Sequence, residues 1–498
     1  MRLETLRLQN FRGYVDHEFV LHPQFNLVIG ENGTGKTSFL EAAAIAIGSW
    51  LLGFPGHDTR SIRERDVRHV FDLVEKRYRE LPQHPVRVKA TGFVHIAKAS
   101  RTEVGGTIEY APAVSDAKPN PRETRVEWER AIESPGGKTT RRGANDIKKY
   151  AAAMASSVLK QDPRILPLIR YFGAGRLWEA VRDTEGKALS KHKGKQPAEL
   201  AEDADELDRA LQQHDKLSEP FYGYRMSVDK RCNPDDLLRW MAMERRNEMD
   251  DEESSIALRL VYSAIESLLP EIKSARYVNR LNALILHFES GKRLPFSELS
   301  DGYRNVVAIV ADLAIKAAML NPQLAEKALD FTPGVVLIDE LDLHLHPRWQ
   351  RRIIEDLRRT FPKVQFICTT HSPFLIQTLR SNDELIVLAP PEDIALGDDE
   401  TDNEDESFSD IVADKLDNLG LETISRGIMG VDAEASPRYM AMLEAAKGYL
   451  AELDKASVAP AERLEEYKRQ LSERLAPFAE NPAFQAVLEA ERVYKLGR

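Results

Sequence analysis

Apolar and polar residues alternate through much of residues 3–29, and a period of two is typical of strands that enter a sheet. The mostly apolar run 25–29 closes this region and leads into a glycine-rich turn and a helix. Two later apolar runs, residues 334–338 and 364–370, are of the kind that is covered on both faces in parallel sheets. The pattern therefore predicts an α/β fold around a buried sheet, with residues 384–388 as its last strand.

The same patterning predicts the elements around this sheet. Residues 85–134 are β-rich and broken by turn residues, which indicates an antiparallel meander. Apolar residues at helical spacing predict a helix over 146–159, a compact helical lobe over 235–269, a long helix from 306 to 320 and a basic helix over 348–359. Residues 166–178 and 281–288 are predicted as further strands.

Composition narrows the class of protein. The chain has 498 residues with a formal net charge of −11, so a whole-surface attraction to nucleic acid is not supported. Cys232 and Cys368 are far apart in sequence, which disfavours a disulfide scaffold or a zinc ribbon and fits a reducing compartment. The N-terminus has the pattern of a strand, not of a signal peptide, and no uncharged apolar stretch reaches the length of a membrane span. We expect a cytoplasmic protein with no membrane contact.

Three basic features each leave two interpretations open. The arginines of residues 59–68 surround Asp66 and form either a solvated helix face or a contact to nucleotide or nucleic acid. Arg176 follows a predicted strand between glycines, where it either points into a nucleotide site or completes a structural turn. The lysines of the polar stretch 181–215 either contact a phosphate backbone or belong to a solvated insertion or linker, and the second is favoured.

The turn at residues 30–37, GENGTGKT, has the residues and spacing of a phosphate-binding loop between a strand and a helix. Its glycines, at positions 30, 33 and 35, are expected to take positive φ so that successive N–H groups converge on one anion. Lys36 can then reach the β- and γ-phosphates, and the Thr37 hydroxyl can ligate Mg²⁺. We interpret this stretch as a nucleotide site and not as a chance glycine-rich turn.

A second group of residues predicts that the bound nucleotide is hydrolysed. Asp339 and Glu340 end a predicted buried strand, where the aspartate can hold Mg²⁺ through water and the glutamate can deprotonate the attacking water. His371 ends the next strand, where its imidazole can contact the γ-phosphate. His344 and His346 suggest a metal site, but no third ligand follows at sensible spacing, so we disfavour it.

The third constellation begins the long helix. Ser300 can cap that helix, and Gly302 would leave its first N–H groups open to an anion. Because the glycine loop already serves one end of the nucleotide, a second anion-binding helix start indicates a composite site. The economical arrangement is a head-to-tail dimer in which each such helix closes over the partner's γ-phosphate.

These motifs follow one another in the order of the ABC-type ATPase heads of structural-maintenance, Rad-fifty-like and RecF-like proteins, which the chain resembles. Residues 10–12 together with the loop 30–37 resemble the N-terminus of that group. Residues 171–178, 299–305, 338–347 and 370–373 are similar more narrowly to stand-alone bacterial ATPases that include PtuA of Septu and retron-linked anti-phage systems. The resemblance covers roughly residues 1–390, and the tail with residues 425–430 is similar but only weakly diagnostic. The resemblance implies an α/β fold, namely an ABC-type P-loop ATPase head with an antiparallel β subdomain, a helical lobe and a helical C-terminal tail.

The resemblance also implies roles. ATP would be bound by Asn32, Gly33, Gly35, Lys36, Thr37, Ser38, Ser300 and Gly302, the last two in trans, and Mg²⁺ by Thr37 and Asp339. Glu340 would be the base, His371 the γ-phosphate sensor, and Asp342 would lie in a loop that crosses the dimer. Asp301 replaces the glycine of the transporter-type signature, and the usual Mg²⁺-ligating glutamine cannot be placed, which leaves the neighbourhood of Arg176 as a candidate.

The expected organisation is an N-terminal ATPase half (1–180), a charged insertion and helical lobe (181–275), a C-terminal ATPase half (276–395), an acidic linker (396–407) and a partner-binding helical tail (408–498). The leading hypothesis is a defence ATPase, a homo-oligomer of head-to-tail dimers that regulates a separate HNH-type nuclease. The alternative is a repair or recombination ATPase that contacts DNA directly. An autonomous nuclease is disfavoured, because the acidic run 398–406 is too poor in apolar residues to form nuclease strands.

Overall fold

The computed structural model describes residues 1–54, 56–74, 77–95, 99–104, 107–112, 123–177, 221–250, 253–388, 424 and 429. The chain divides into two compact units, Met1–Leu421 and Glu422–Arg498. The predicted acidic linker and helical tail, and most of the charged insertion, lie outside the described residues. Within the described ranges, no helix is both long and apolar enough to cross a membrane.

The described part of the first unit contains both strands and helices. The strands are β1 (Arg2–Phe11), β2 (Tyr14–Val20), β3 (Phe25–Ile29), β4 (His69–Val74), β5 (Arg77–Pro82), β6 (Val86–His95), β7 (Ala99–Val104), β8 (Thr107–Pro112), β9 (Glu123–Ile132), β10 (Leu168–Phe172), β11 (Ile272–Val278), β12 (Ala283–Phe288), β13 (Arg293–Pro295), β14 (Gly334–Ile338), β15 (Val364–Thr369) and β16 (Leu385–Val387). The helices are α1 (Lys36–Gly48), α2 (Asn145–Leu159), α3 (Pro234–Asp250), α4 (Ile256–Leu268), α5 (Asp301–Leu320), α6 (Ala328–Phe331), α7 (Pro347–Gln350), α8 (Ile353–Thr360) and α9 (Pro373–Ile376).

A five-stranded parallel sheet with the order β10-β14-β15-β3-β16 forms the centre of this unit. Every residue of β3, β10, β14 and β15 is buried, as the apolar runs predicted for β14 and β15, whereas the edge strand β16 is partly exposed. Strand β3, from the beginning of the unit, lies between β15 and β16, which come from the end of its described part. Because parallel strands share the direction of their carboxyl ends, the loops after β3, β10, β14 and β15 meet at one edge.

A four-stranded antiparallel sheet, β2-β1-β6-β9, covers α1. Trp128 on β9 is buried and donates from its indole Nε1 to the carbonyl oxygen of Ala46 at 2.9 Å. The predicted meander is wrong in its pairing: β6 pairs directly with β9, and β7 and β8 form a separate hairpin between them. A second hairpin, β4–β5, was not predicted.

The helical lobe confirms the amphipathic pattern of residues 235–269, with α3 and α4 as separate helices. Ser255 caps α4 by accepting a hydrogen bond from the backbone N–H of Leu258 at 3.2 Å. A three-stranded antiparallel sheet, β11-β12-β13, follows and leads into α5. The predicted basic helix over 348–359 is wrong in its continuity, because Arg352 has a φ of −133° that separates α7 from α8.

The predicted fold class is therefore confirmed in its layers: a buried parallel sheet, an antiparallel β subdomain and a helical lobe. The helices predicted over 146–159 and 306–320 are confirmed as α2 and α5. The strand predicted over 166–178 is shorter, since the chain turns after Phe172.

Candidate functional site

The turn between β3 and α1 has the conformation that its glycines predicted. Gly30, Gly33 and Gly35 have φ values of 151°, 92° and 98°. A Cβ atom at Gly30 would lie 2.7 Å from the carbonyl oxygen of Leu388, so a side chain there would also clash with the chain after β16. The loop is braced from the antiparallel sheet, since the Tyr14 hydroxyl donates to the carbonyl oxygen of Gly35 at 3.1 Å.

Lys36 lies folded back across this loop. Its Nζ donates to the carbonyl oxygens of Gly30 at 2.7 Å and Glu31 at 2.8 Å. Burial lowers the pKa of Lys36, while the carboxylates of Asp339 and Glu340 act in the opposite direction. An ammonium group has three N–H donors, and the two loop carbonyls accept from two of them. Lys36 therefore places a cation beside the phosphate loop with a third donor for a ligand.

Asp339 links the loop to the end of β14. Its carboxylate is buried and accepts from the Thr37 hydroxyl, with Oγ1 to Oδ2 at 3.1 Å. Its other oxygen, Oδ1, accepts from the hydroxyl of Thr369 on β15 at 2.7 Å. Mg²⁺ takes oxygen ligands in a nearly ideal octahedron at about 2.0–2.1 Å, so adjacent ligand oxygens lie roughly 2.9 Å apart. The hydroxyl and carboxylate oxygens of Thr37 and Asp339 fit such a metal.

Glu340 has a φ of 50°, in the left-handed region that non-glycine residues adopt at a cost. Its backbone N–H donates to the Thr369 Oγ1 at 2.8 Å, so one threonine hydroxyl orients both members of the Asp-Glu pair. The Glu340 side chain is half-buried at the sheet edge. Strain of this kind persists where the surroundings fix it, and it is frequent at functional sites.

Arg176 is buried, and its side chain does not point into the loop. Its guanidinium donates from Nε to the Asn305 Oδ1 at 2.6 Å and from Nη1 to the Asp339 carbonyl oxygen at 2.7 Å. It also donates from Nη2 to the Glu340 carbonyl oxygen at 3.1 Å and from Nη1 to that of Gly173 at 2.9 Å. The interpretation as a structural turn is the better one. Residues 168–177 contain no glutamine, so this neighbourhood supplies no amide ligand for Mg²⁺.

Ser300 stands immediately before α5, but its side chain makes no capping hydrogen bond, and the predicted cap is wrong in that respect. The residue is exposed, so its hydroxyl is presented at the helix start. Gly302 is buried against the loop after β14, where an added Cβ would lie 2.4 Å from the carbonyl oxygen of His344. This close approach explains the glycine; the anion contact proposed for it stays a prediction.

His371 follows β15 at the same sheet edge and is exposed. The preceding Thr370 donates from its hydroxyl to the Asp342 Oδ1 at 2.6 Å, so the carboxylate of Asp342 is held within its own chain. His346 caps α7 by accepting from the backbone N–H of Arg348 at 3.2 Å. Among the described residues, no three His, Cys, Asp or Glu side chains are grouped to hold a metal ion.

The arginine-rich stretch 59–68 is not a helix face, and that interpretation is wrong. The chain is irregular there apart from a single 3₁₀ turn, Glu64–Asp66, and contains no α-helix. Arg60 bonds to the buried carboxylate of Glu41 on α1. Arg12, from the loop after β1, donates to the same carboxylate at 3.2 Å and from Nε to Asp66 at 2.9 Å. These pairs hold the antiparallel sheet against the helix that follows the phosphate loop.

Thr369 and Asn305 complete this arrangement, although no sequence motif assigned either of them a role in the site. A polar residue at the end of an otherwise buried strand is the only signal for Thr369. Asn305 is 2% exposed on α5, and a buried amide in an apolar helix indicates a specific hydrogen-bonding partner. In both cases the partner lies far away in sequence.

Comparison with known families places this site in a recognised group. A family model described as an AAA domain matches residues 5–273, more than half of the chain. A second model, also described as an AAA domain and naming the AbiEii toxin of a type IV TA system, matches residues 180–377.

Relatives carry names that agree with the resemblance. The retron Vc95 probable ATPase of Vibrio cholerae is 28% identical over 37% of this chain and 36% of its own length. The retron Ec83 probable ATPase of Escherichia coli is 26% identical over 76% of this chain and 70% of its own length. The Septu protein PtuA of Bacillus thuringiensis is 34% identical over 30% of this chain and 36% of its own length. RecF proteins, named for DNA replication and repair, are also among the relatives. The suspected classification is thereby confirmed.

The chain spans about a third of the length of the Vibrio and Bacillus relatives, so the similarity to those two proteins covers only part of each. Among solved structures, the SMC head domain from Thermotoga maritima is similar with 13% identity and a TM-score of 0.36, over 78% of this chain and 94% of that one. That score is too low for any conclusion to rest on it.

The double role of the Thr369 hydroxyl generates a prediction. Thr369→Val removes the hydroxyl at nearly constant volume and leaves the Glu340 N–H and the Asp339 Oδ1 short of a partner. We expect a loss of about 1–3 kcal/mol in the free energy of unfolding, measured by urea denaturation, and faster amide exchange at Glu340. Thr369→Ser keeps the hydroxyl and serves as the control. Equal stability and equal exchange in the valine variant would contradict the role.

Proposed function

This chain belongs to the AAA-domain family, and from that premise we propose that it binds ATP at residues 30–38 and hydrolyses it to ADP and phosphate with Mg²⁺. The observation that carries the proposal is the 3.1 Å contact between Thr37 and Asp339, which are 302 positions apart in sequence. It brings a phosphate-loop hydroxyl and a strand-end carboxylate together as oxygen ligands. ATPase-named relatives support the same reaction.

The residues take the following proposed roles. The backbone N–H groups of the loop, including Asn32, Gly33, Gly35 and Ser38, surround the phosphates, and Lys36 neutralises the β- and γ-phosphate charge. Thr37 and Asp339 hold the metal. Bound Mg²⁺ would neutralise the charge that develops on the transferred phosphoryl group. Glu340 accepts the proton of the attacking water, and His371 donates a hydrogen bond to the γ-phosphate.

The second half of the site is proposed to come from a partner protomer in a head-to-tail dimer. The exposed Ser300 hydroxyl makes no capping bond in its own chain and is thus available to an anion brought against α5. Ser300 and Gly302 would contact the γ-phosphate bound to the other protomer. The loop that carries Asp342 is fixed to Thr370, so it would present a rigid surface at the dimer contact.

The retron- and Septu-named relatives support a bacterial anti-phage defence system as the biological setting. We propose that ATP-dependent closure of a cytoplasmic homo-oligomer, built from such dimers, regulates a separate nuclease of the HNH type bound through residues 408–498. The RecF relatives favour a second candidate, a DNA repair or recombination ATPase that acts directly on DNA.

The proton-accepting role of Glu340 is tested by Glu340→Gln, which keeps the shape of the side chain and removes its basicity. We expect kcat to fall by about 10²–10⁴-fold while the affinity for ATP changes by less than about threefold. Lys36→Ala should instead weaken ATP binding itself, as measured by calorimetry. The matched control is Glu127→Gln, which makes the same change at an exposed carboxylate on the antiparallel sheet. Normal turnover in Glu340→Gln would show that another group is the base.

Composite sites are tested by mixing two inactive variants, Lys36→Ala and Ser300→Arg. In a head-to-tail dimer, half of the randomly mixed dimers contain one intact site, formed by the normal loop of one protomer and the normal helix of the other. We expect up to about a quarter of the wild-type ATPase rate to return on mixing. If both elements served one nucleotide within a single chain, mixing would restore nothing.

The two biological settings are separated by native mass measurement of the complex purified from its own operon, with and without ATP. A defence ATPase is expected to carry a nuclease that is lost when residues 408–498 are deleted. A repair ATPase is expected to purify without a nuclease and to hydrolyse ATP faster when duplex DNA ends are added. The second pattern would overturn the defence assignment and leave the ATPase assignment intact.

A further inference from the structure

The guanidinium of Arg176 connects three separate parts of the site. It lies in the turn after β10, is 2% exposed, and donates four hydrogen bonds to oxygen atoms. One acceptor is in its own turn, two are the carbonyl oxygens of the Asp339–Glu340 pair, and one is the Asn305 side chain on α5. Arginine suits this position because its planar fork directs several donors along fixed lines.

The Glu340 end of this connection is a strained peptide unit held from both sides. Its N–H donates to Thr369, and its carbonyl oxygen accepts from Arg176 at 3.1 Å. A residue at a φ of 50° needs such surroundings to stay in place. The orientation of the Glu340 carboxylate therefore depends on both contacts.

The α5 end is equally well fixed. Asn305 accepts from Arg176 through Oδ1 and donates from Nδ2 to the carbonyl oxygen of Leu343 at 3.1 Å. One turn earlier, Gly302 packs directly on the carbonyl of His344. The start of α5 and residues 339–344 are thus joined at two points.

We propose that Arg176 and Asn305 are positioning residues that couple the start of α5 to the orientation of Glu340 in the same chain. The inference rests on the proposed ATPase function. In the proposed dimer, α5 of one chain closes over the nucleotide of its partner, while Glu340 of that chain serves its own nucleotide. Closure at one site would thereby set the base at the other, and the two sites would hydrolyse ATP cooperatively.

Burial reinforces the connection. It lowers the pKa of Arg176 to about 10, partly offset by nearby groups that include Asp339 and Glu340. The side chain stays charged at neutral pH, and none of its four hydrogen bonds goes to a carboxylate. A buried cation of this kind holds its acceptors strongly, because releasing any of them leaves charge uncompensated in the interior.

The test compares two buried asparagines at opposite ends of α5. Asn305→Ala removes the contacts to Arg176 and Leu343. Asn321→Ala removes comparable buried hydrogen bonds away from the sheet edge. The Asn321 Oδ1 accepts from the Leu166 N–H at 2.7 Å, and its Nδ2 donates to the Leu166 carbonyl oxygen at 2.9 Å and to the Thr332 Oγ1 at 3.0 Å. Arg176→Lys is a second variant, since an ammonium group cannot span the four acceptors.

We expect Asn305→Ala and Arg176→Lys to lower kcat by about 10- to 100-fold with ATP affinity nearly unchanged, and to reduce the Hill coefficient from about 2 to about 1. Amide exchange across residues 339–344 should rise in both, without nucleotide present. Asn321→Ala should lower the unfolding temperature and leave kcat, the Hill coefficient and that exchange as in the wild type.

Unchanged kcat and cooperativity in Asn305→Ala would overturn the coupling, as would an identical effect of Asn321→Ala. A wild-type protein without ATPase activity would instead overturn the proposed function. In that event the coupling between α5 and Glu340 is judged from amide exchange alone. If Asn305→Ala left the exchange of residues 339–344 unchanged, the inference would be overturned.

Discussion

The hydrogen bond from Thr37 to Asp339 is the contact on which the site depends, because it joins the first strand of the sheet to a strand more than three hundred residues later. It forms only if β3 and β14 lie on either side of β15 with their carboxyl ends level. The register supplies this: Phe366 of β15 pairs with Phe25 on one side and with Val336 on the other. A change in the register of β3 would separate the hydroxyl from the carboxylate and leave Asp339 with the Thr369 hydroxyl as its remaining partner among these two.

The rest of the first unit keeps that register in place. Trp128 and Tyr14 attach the antiparallel sheet to α1 and to the glycine loop, and Arg12 and Arg60 neutralise the one buried carboxylate on the inner face of α1. The resulting scaffold is rigid on the side of the phosphate loop. The exposed residues, Ser300 and His371, lie at the edges where a ligand or a second chain can approach.

The sequence predicted the parts of this arrangement that depend on local chemistry. The glycines at positions 30, 33 and 35 are a local signal, because a phosphate-binding turn needs positive φ and glycine adopts it at little cost. The apolar runs of β14 and β15 are likewise readable without knowing their neighbours. Pairing between distant segments was not readable, so the direct contact of β6 with β9 and the hairpin between them were missed. The same holds for Arg176, whose acceptors belong to β14 and α5. The stretch around the 3₁₀ turn at residues 64–66 was mistaken for a helix face because arginines spaced by two or three residues fit either structure.

The position of β3 has a consequence for how the protein is made. This strand is complete within the first thirty residues, yet both of its neighbours, β15 and β16, are among the last strands of the unit. During synthesis the glycine loop therefore waits, without either flanking strand, until the ribosome has passed residue 388. Until then the backbone N–H and C=O groups along both edges of β3 lack their partner strands, so the sheet that carries the site is completed only late in synthesis.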